Sequence, residues 1–396
     1  MSQPASEPST LRITVSGQDR PGVTSALLGG LAQIGADVLD LEQIVVRDHL
    51  TLSALLDPRG RADELAQAGR HTGDSLGMRT RISVGTGDSH IRPTGRAHVV
   101  VLGNPLDAGD LGAATERIAR LGANIDRIRR LSAYPVTTVE LDVSGADVPR
   151  LRSELATFAS RRPIDIAVAP AGLARLGSRL VVMDVDSTLI QQEVIELLAA
   201  HAGYQAEVTA ITEAAMRGEL DFGESLTARV ALLAGLEAET LDRVRAHVVL
   251  TPGARTLVRT LHRLGNTVAL VSGGFAEVVT PIAADLGIDR VVANRLEIAD
   301  GRLTGRIDGG IIDRAAKAKA LRRFAADLGL PQSRTVAIGD GANDLDMLAA
   351  AGLGIAFNAK PLVQAGADTS VSVPYLDAVL FLLGVTREDV EEADAE

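Results

Sequence analysis

The stretch Leu180-Val181-Val182-Met183-Asp184-Val185-Asp186-Ser187-Thr188 sets the tightest limit on what this chain can fold into. Four uninterrupted apolar residues read as a short strand buried on both faces, the mark of a parallel sheet covered by helices. The strand runs directly into two carboxylates spaced two apart, which point the same way in an extended chain. Open parallel sheets bind their ligands at such carboxyl ends. Carboxylates facing one cavity repel each other unless one is protonated or a cation lies between them. Taken alone, the stretch admits either metal and phosphate chemistry or a plain acidic turn.

Two more apolar runs behave alike. Thr267–Val271 leads into Ser272-Gly273-Gly274-Phe275, and Thr335–Ile338 leads into Gly339-Asp340-Gly341-Ala342-Asn343-Asp344. Between them, Asn294–Ile298 and Leu303–Ile307 flank Asp300-Gly301, a favoured hairpin turn pair. Lys317 and Lys319 open a helix that reaches Leu328. From Gln191 to Ala246 the periodicity is helical, with Glu193 and Glu196 in the first helix and Asp221-Phe222-Gly223-Glu224-Ser225 breaking others. This block reads as a helical lid inserted after the first strand. Each piece is ordinary alone: a Gly turn, a solvated lysine, an Asx-turn. Their joint placement at strand ends is not. Asp184 and Asp340 would supply hard oxygen ligands for Mg²⁺. Ser272, the neighbouring backbone N–H groups and one lysine would hold a phosphoryl group.

The first third of the chain is organised differently. Leu11–Ser16 alternates like a strand, Gly17-Gln18-Asp19-Arg20-Pro21-Gly22 turns, and Val23–Ile34 is helical. Val38–Val46, Leu50–Leu56, the helix Ala62–Leu76 and the strand Met78–Val84 complete a β-α-β-β-α-β order. The order then repeats, with strands at Ala97–Leu102, Ile128–Leu131, Thr137–Val143 and Ile164–Val168 and helices at Gly109–Leu121 and Val148–Phe158. Gly122-Ala123-Asn124-Ile125 echoes Gly35-Ala36-Asp37-Val38. Gly85–Gly95 reads as a linker, and the whole as an internal duplication.

With 396 residues, the chain is long enough for two or three domains. A formal charge of −11 without a basic block argues against nucleic acid as a partner. No cysteine is present, which excludes disulfides and thiolate chemistry. Met1–Thr10 lacks the features of a secretory signal, and runs such as Ala378–Leu383 are too short to cross a bilayer. A cytoplasmic protein without membrane association is expected.

Each duplicated unit, by its topology and the Asp19-Arg20-Pro21-Gly22 turn, resembles an ACT domain, a small amino-acid-sensing module. The resemblance implies an amino-acid regulator such as L-serine at Gly17, Asp19, Arg20 and Gly22, where N–H groups at a helix start meet the ligand carboxylate. The second copy has Gly103-Asn104-Pro105-Leu106-Asp107 instead. Asp184-Val185-Asp186-Ser187-Thr188, Ser272, Lys317 and Gly339-Asp340-Gly341-Ala342-Asn343-Asp344 resemble the four motifs of the haloacid dehalogenase superfamily. Arg179–Ala367 resembles its phosphoserine phosphatase family more closely, including Ser187, Ala293-Asn294-Arg295-Leu296 and Gly354-Ile355-Ala356-Phe357-Asn358-Ala359-Lys360-Pro361.

The resemblance implies an α/β fold: a Rossmann-like parallel sheet with a helical cap, preceded by two α+β ferredoxin-like ACT domains. The boundaries expected are a disordered leader at 1–10, ACT domains at 11–86 and 96–170, and the phosphatase at 178–384 with its cap at about 190–248. An acidic, frayed tail follows at 385–396. It further implies Mg²⁺-dependent hydrolysis of O-phospho-L-serine, the last step of serine biosynthesis. Asp184 would be the nucleophile and Asp186 the general acid and base. Asp184, Asp186 (through its carbonyl) and Asp340 would hold the metal, with Asp344 behind them. Ser272, Gly273 and Lys317 would hold the phosphoryl group, Lys319 being the weaker lysine candidate. Glu193, Met216, Phe222, Arg229 and Asn343 would surround the substrate. Two alternatives remain: a phosphatase or phosphotransferase for another phosphomonoester or a phosphoprotein, and an amino-acid sensor with a decayed catalytic unit. A homodimer through the ACT units is expected because their sheets leave pairing edges.

Overall fold

The structure, a computed structural model, describes residues 9–86, 94–172, 177–216 and 219–395. Residues 1–92 and 93–396 form two compact units.

In the first unit, β1 (Ser9–Gln18), α1 (Val23–Ala32), β2 (Asp37–Val46), β3 (His49–Asp57), α2 (Ala62–Ser75) and β4 (Arg79–Thr86) follow the expected order. The strands pair antiparallel in the sequence β2-β3-β1-β4. Period-two alternation decides the faces. Leu11, Ile13 and Val15 of β1 and Leu50, Leu52, Ala54 and Leu56 of β3 pack with Val23, Leu27 and Leu31 of α1 and Leu65 of α2. The opposite face is polar, with Arg12 bonded to Ser83 at 3.3 Å and Thr14 to Ser53 at 3.1 Å. The expected leader is too long: Ser9 and Thr10 pair with Thr86 and Gly85, since main-chain pairing with β4 outlasts the alternating run. For the same reason Gly85 and Thr86 are strand rather than linker; residues 1–8 and 87–93 lie outside the described residues.

The second unit begins with the repeat: β5 (Ala97–Gly103), α3 (Ala108–Arg120), β6 (Asn124–Ser132), β7 (Thr137–Ser144), α4 (Val148–Ala159) and β8 (Ile164–Pro170), in the sheet order β6-β7-β5-β8. The echoed glycines Gly35 and Gly122 sit at φ 83° and 80°, where each chain leaves a helix for the next strand. This sheet has two apolar faces. Val99, Val101 and Leu141 meet the helices, whereas Val100, Leu102, Leu131, Val136 and Ala167 merge with the core of the C-terminal body. Three sequence segments therefore make two units. Asp165, only 2% exposed, accepts from Ser370 Oγ (2.6 Å), Ser372 N (2.7 Å) and Ser372 Oγ (2.9 Å), and Thr369 Oγ1 donates to the Ile166 carbonyl at 2.8 Å.

The C-terminal body opens with β9 (Leu180–Met183), followed by α5 (Val194–Ala202), α6 (Gln205–Met216), α7 (Phe222–Ala231) and α8 (Glu239–His247) of the cap. Alternation resumes with α9 (Ala254–Arg263), β10 (Thr267–Phe275), α10 (Ala276–Asp285), β11 (Arg290–Asn294) and the hairpin β12 (Leu296–Ala299) and β13 (Arg302–Ile307). It closes with α11 (Arg314–Asp327), β14 (Thr335–Gly339), α12 (Leu345–Ala350), β15 (Leu353–Phe357), α13 (Pro361–Gly366), β16 (Thr369–Val371), α14 (Ala378–Leu382) and α15 (Arg387–Ala395). Six strands run parallel in the order β11-β10-β9-β14-β15-β16. Leu180, Val182, Ala269 and Ala337 pack under Leu321 and Phe324 of α11 and Met347 of α12; Val181, Met183, Leu270 and Ile338 face Leu257 of α9 and Val278 of α10. With β10 and β14 on its two sides, β9 ends where the strand order reverses, and a crevice forms there.

The hairpin differs from expectation. Asn294 ends β11 in the main sheet, and the chain turns at Arg295 to join the cap, where Leu303 exchanges bonds of 2.8 Å with Gly235 and Leu236. The tail is not frayed. Val390 is buried, Glu388 pairs with Arg130 and Asp394 with Arg263, both at 2.9 Å, so opposite charges on the body fix the acidic helix α15. Among the described residues, no helix is long and apolar enough to cross a membrane.

The Asp165 contacts give a stability test. Asp165→Ala removes a buried carboxylate together with the three bonds it accepts and is expected to cost about 2 kcal/mol, read as a lower midpoint in urea unfolding followed by circular dichroism.

Candidate active site

One tight turn after β9 sets the site. Asp184 N donates to the Ile338 carbonyl at 2.9 Å, continuing the β9–β14 pairing, and Asp184 Oδ1 accepts from Val185 N at 2.8 Å. The chain then folds back, with Ser187 at φ 57°. Each following side chain reaches a different partner. Asp186 Oδ1 accepts from Val194 N (2.9 Å) at the start of α5, and Ser272 Oγ, 3.4 Å away, donates to Oδ2. Ser187 Oγ donates to Glu193 Oε1 at 2.7 Å, and Thr188 Oγ1 to Asp340 Oδ1 at 2.8 Å.

The end of β10 approaches this turn closely. A β-carbon on Gly274 would lie 2.6 Å from Asp186 Oδ2, so only glycine fits. Gly274 N donates to Ser272 Oγ at 2.8 Å. Asn294, 1% exposed, donates from Nδ2 to the Gly273 carbonyl and accepts from Ile312 N, both at 2.8 Å. It thereby ties the loop after β10 to the chain entering α11.

That helix delivers Lys317, which is fully buried; Lys319 is exposed. Lys317 Nζ lies 2.8 Å from Asp184 Oδ2 and 2.7 Å from Asp344 Oδ1, and Asp344 Oδ2 accepts from Gly341 N at 3.0 Å. Burial alone would lower the lysine, but Asp184 and Asp344 outweigh it and hold the ammonium protonated above its usual range. The carboxylates are overcrowded. Burial first, then Asp344 and Asp340, push Asp184 well up despite Lys317. Asp186 rises to about 7 through burial and the charge of Glu193, and Asp340 to about 6 through burial and Asp344. Asp184, Asp340 and Asp344 offer oxygens within 4.8 Å of one another. An all-oxygen set carrying surplus negative charge suits a hard divalent cation.

The cluster opens into a cavity of about 1170 Å³ lined by Asp184, Asp186, Glu193, Phe222, Arg229, Gly273, Asp340 and Asn343 among others. Phe222 reaches down from the cap until its ring tip is 3.2 Å from where a β-carbon of Gly273 would sit. Arg229, on α7, donates from Nε to the Ser225 carbonyl at 3.2 Å. Burial lowers its guanidinium pKa, while Glu193, Glu196 and Asp186 act in the opposite sense.

Comparison with known proteins agrees with this geometry. Residues 181–349 match the haloacid dehalogenase-like hydrolase model, and residues 9–83 and 96–169 each match an ACT domain model. A phosphoserine phosphatase of Streptomyces coelicolor is 58% identical, with the match covering 97% of this chain and 94% of that protein. The chain belongs to the phosphoserine phosphatase family. A phosphoserine phosphatase of Mycobacterium tuberculosis is 53% identical over 97% of this chain and 95% of its own length. The crystal structure of a probable phosphoserine phosphatase from Vibrio cholerae, 32% identical, superposes with a TM-score of 0.56 over 74% of this chain and 88% of that one. This is the haloacid dehalogenase fold with helical cap, preceded by two ACT domains.

Of the residues singled out from sequence, Asp184, Asp186, Ser272, Gly273, Lys317, Asp340 and Asp344 converge on the strand ends, and Glu193, Phe222, Arg229 and Asn343 line the cavity above them. The side chain of Met216 lies outside the described residues. In the first ACT unit, Gly17 is the penultimate residue of β1, Asp19 N bonds to the Asp48 carbonyl at 2.7 Å, Arg20 bonds to the Leu76 carbonyl, and Gly22 precedes α1. Sequence reasoning missed the contacts of Ser187, Thr188 and Asn294. The hydroxyls were visible in the motif, but their partners are 6 and 152 residues away.

The raised carboxyl groups fix a pH dependence. A carboxyl whose folded pKa exceeds its unfolded value near 4 takes up protons on folding. The metal-free protein should therefore lose stability as pH rises from about 4 through the values near 6 and 7. A divalent cation competes with those protons. Saturating Mg²⁺ is expected to raise the melting temperature by several degrees at pH 8 and much less at pH 5.5, read by scanning calorimetry.

Proposed function

We propose that this family member is a Mg²⁺-dependent enzyme hydrolysing O-phospho-L-serine to L-serine and phosphate, the last step of serine biosynthesis in the cytoplasm. The observation that carries the reading is that one cavity holds both a lysine-bound aspartate and, above it, an opposed pair of charges, Glu193 and Arg229. Phosphoserine has three charged groups, and the cavity has a counterpart for each.

Asp184 is the nucleophile. Its carboxylate attacks phosphorus, the bond to the seryl oxygen breaks, and the aspartyl phosphate divides one hard displacement into two. Asp186 stands at the cap side of the turn. With its pKa raised to about 7, it can hold the proton that the departing seryl oxygen needs and later remove one from water. Ser272, the Gly273 N–H and Lys317 meet the phosphoryl oxygens, and Asp344 fixes the ammonium of Lys317. Asp184, the Asp186 carbonyl and Asp340 would hold Mg²⁺, which supplies charge neutralisation between nucleophile and phosphate.

Glu193 takes the substrate ammonium and Arg229 its carboxylate, which a planar guanidinium can bind through two bonds. Asn343 lines the same space, and Phe222 covers it against water. A phosphoester without the amino-acid head would leave both charges without a partner.

The first ACT unit supports amino-acid regulation. No side chain caps the start of α1, whereas Asp107 accepts from Gly109 N at 2.6 Å and from Asp110 N at 3.3 Å at the start of α3. The N–H groups at Gly17–Gly22 are thus the better place for the carboxylate of L-serine. The same unit supports a homodimer. Edge strand β2 is exposed throughout and carries Val38, Leu41, Ile44 and Val46 outward.

Phosphate release from phosphoserine is expected to require Mg²⁺. Asp184→Asn should lower kcat roughly 10⁴-fold, and Arg229→Ala should raise KM at least tenfold with a smaller change in kcat. Normal turnover by Asp184→Asn would end this account. Light scattering at micromolar concentration should give a dimer, and calorimetry should detect L-serine binding that Gly22→Val abolishes; a monomer, or unchanged binding, would remove the corresponding part of the proposal.

A further inference from the structure

Ser187 combines two features that belong together. Its backbone is left-handed, at φ 57° and ψ 2°, a conformation that glycine adopts freely and serine does not. Its hydroxyl donates to Glu193 Oε1 at 2.7 Å. The strain of the turn is thus borne by a residue whose side chain has one described contact, and that contact is a charged acceptor.

Glu193 needs such a partner. It is the residue before α5, with extended backbone at φ −94° and ψ 117°, and its carboxylate makes no capping bond to that helix. It stands close enough to Asp186 to raise that acid, so without an anchor it would swing away from a site already crowded with negative charge. Other charged groups facing it from the cap are Arg229 and Glu196. The bond from Ser187 engages one carboxylate oxygen, and Glu193 itself lines the cavity.

We infer that Ser187 is a specificity-determining positioning residue: its hydroxyl holds the Glu193 carboxylate where it receives the substrate's ammonium group. Ser187 touches neither phosphorus nor metal in this role. It acts through Glu193, and the inference rests on the reading of Glu193 given above. Discrimination for an α-amino group is then written partly into the nucleophile's own turn, three residues beyond Asp184. A turn residue there could be glycine as far as the backbone is concerned.

The test compares two substrates and two variants in the full-length chain with Mg²⁺. The substrates are O-phospho-L-serine and 3-phosphooxypropanoate, which lacks only the ammonium. Ser187→Gly removes hydroxyl and strain together; Ser187→Ala removes the hydroxyl and keeps the strain. Both variants are expected to raise KM for phosphoserine about tenfold, the loss typical of a hydrogen bond to a charged group, with kcat within about twofold. Neither should change kcat/KM for the desamino ester by more than about twofold. Ser187→Gly should melt at or above the wild-type temperature and Ser187→Ala at or below it, so a shared kinetic effect tracks the hydroxyl rather than stability. Equal losses on both substrates, or no loss on phosphoserine, would overturn the inference. Failure of the underlying reading shows separately, as a wild-type enzyme that does not prefer phosphoserine over its desamino analogue.

Discussion

A fully buried ammonium clasped by two carboxylates is the contact on which the rest of this molecule depends. Lys317 lies within 2.8 Å of both Asp184 and Asp344, and Asp340 stands in the same cluster. One positive charge does not balance three carboxylates, so the site is held under electrostatic tension that protons or a divalent cation would relieve. The scaffold tolerates this because the two strand ends that carry the carboxylates are locked between two apolar layers. Lys317 itself lies on the same face of α11 as Leu321 and Phe324, which pack against the sheet and so hold the ammonium under it. Position, rather than residue type, turns these common side chains into a reactive group.

The cap supplies the other wall of the cavity. Glu193, Phe222 and Arg229 belong to segments inserted between the first two strands of the catalytic sheet, and the β12–β13 hairpin braces them from a later point in the chain. On the reading proposed above, the amino-acid head and the phosphoryl group are bound by separate layers, joined through one turn in which Asp186, Ser187 and Thr188 each hold a partner elsewhere. The two ACT units show how duplication diverges. The second has an apolar second face and is fused to the catalytic body through Val100, Leu102 and the bonds of Asp165. The first keeps a polar second face and an exposed apolar edge.

Much of this was legible in the amino-acid sequence, and for identifiable reasons. The central strand, Asp184, Asp186, Ser272 and Asp340 announce themselves because short apolar runs end in polar turns, a local pattern. The ACT repeats were legible through alternation and their shared Gly-Ala turn. What stayed hidden was non-local. Strand β16 has only three residues, and β11 and β15 do not run into the aspartate turns that mark β9 and β14, so the local pattern did not reveal them. The fusion of the second repeat with the catalytic body depends on which face of a sheet meets which partner. Helix α15 read as a frayed acidic tail because the arginines that hold it, Arg130 and Arg263, come from distant segments. The roles proposed for Glu193 and Arg229 rest on family resemblance; their residue types suggest only solvated helix faces.

The central claim is that this crowded cluster makes Asp184 a nucleophile that forms a covalent bond to phosphorus. The most direct measurement quenches the enzyme during turnover of phosphoserine with Mg²⁺, reduces the acyl phosphate with borohydride and maps the peptide by mass spectrometry. The account predicts homoserine in place of aspartate at position 184, dependent on substrate and absent when Mg²⁺ is withheld. Reduction at another carboxylate, or none at any carboxylate while phosphate is being released, would contradict it.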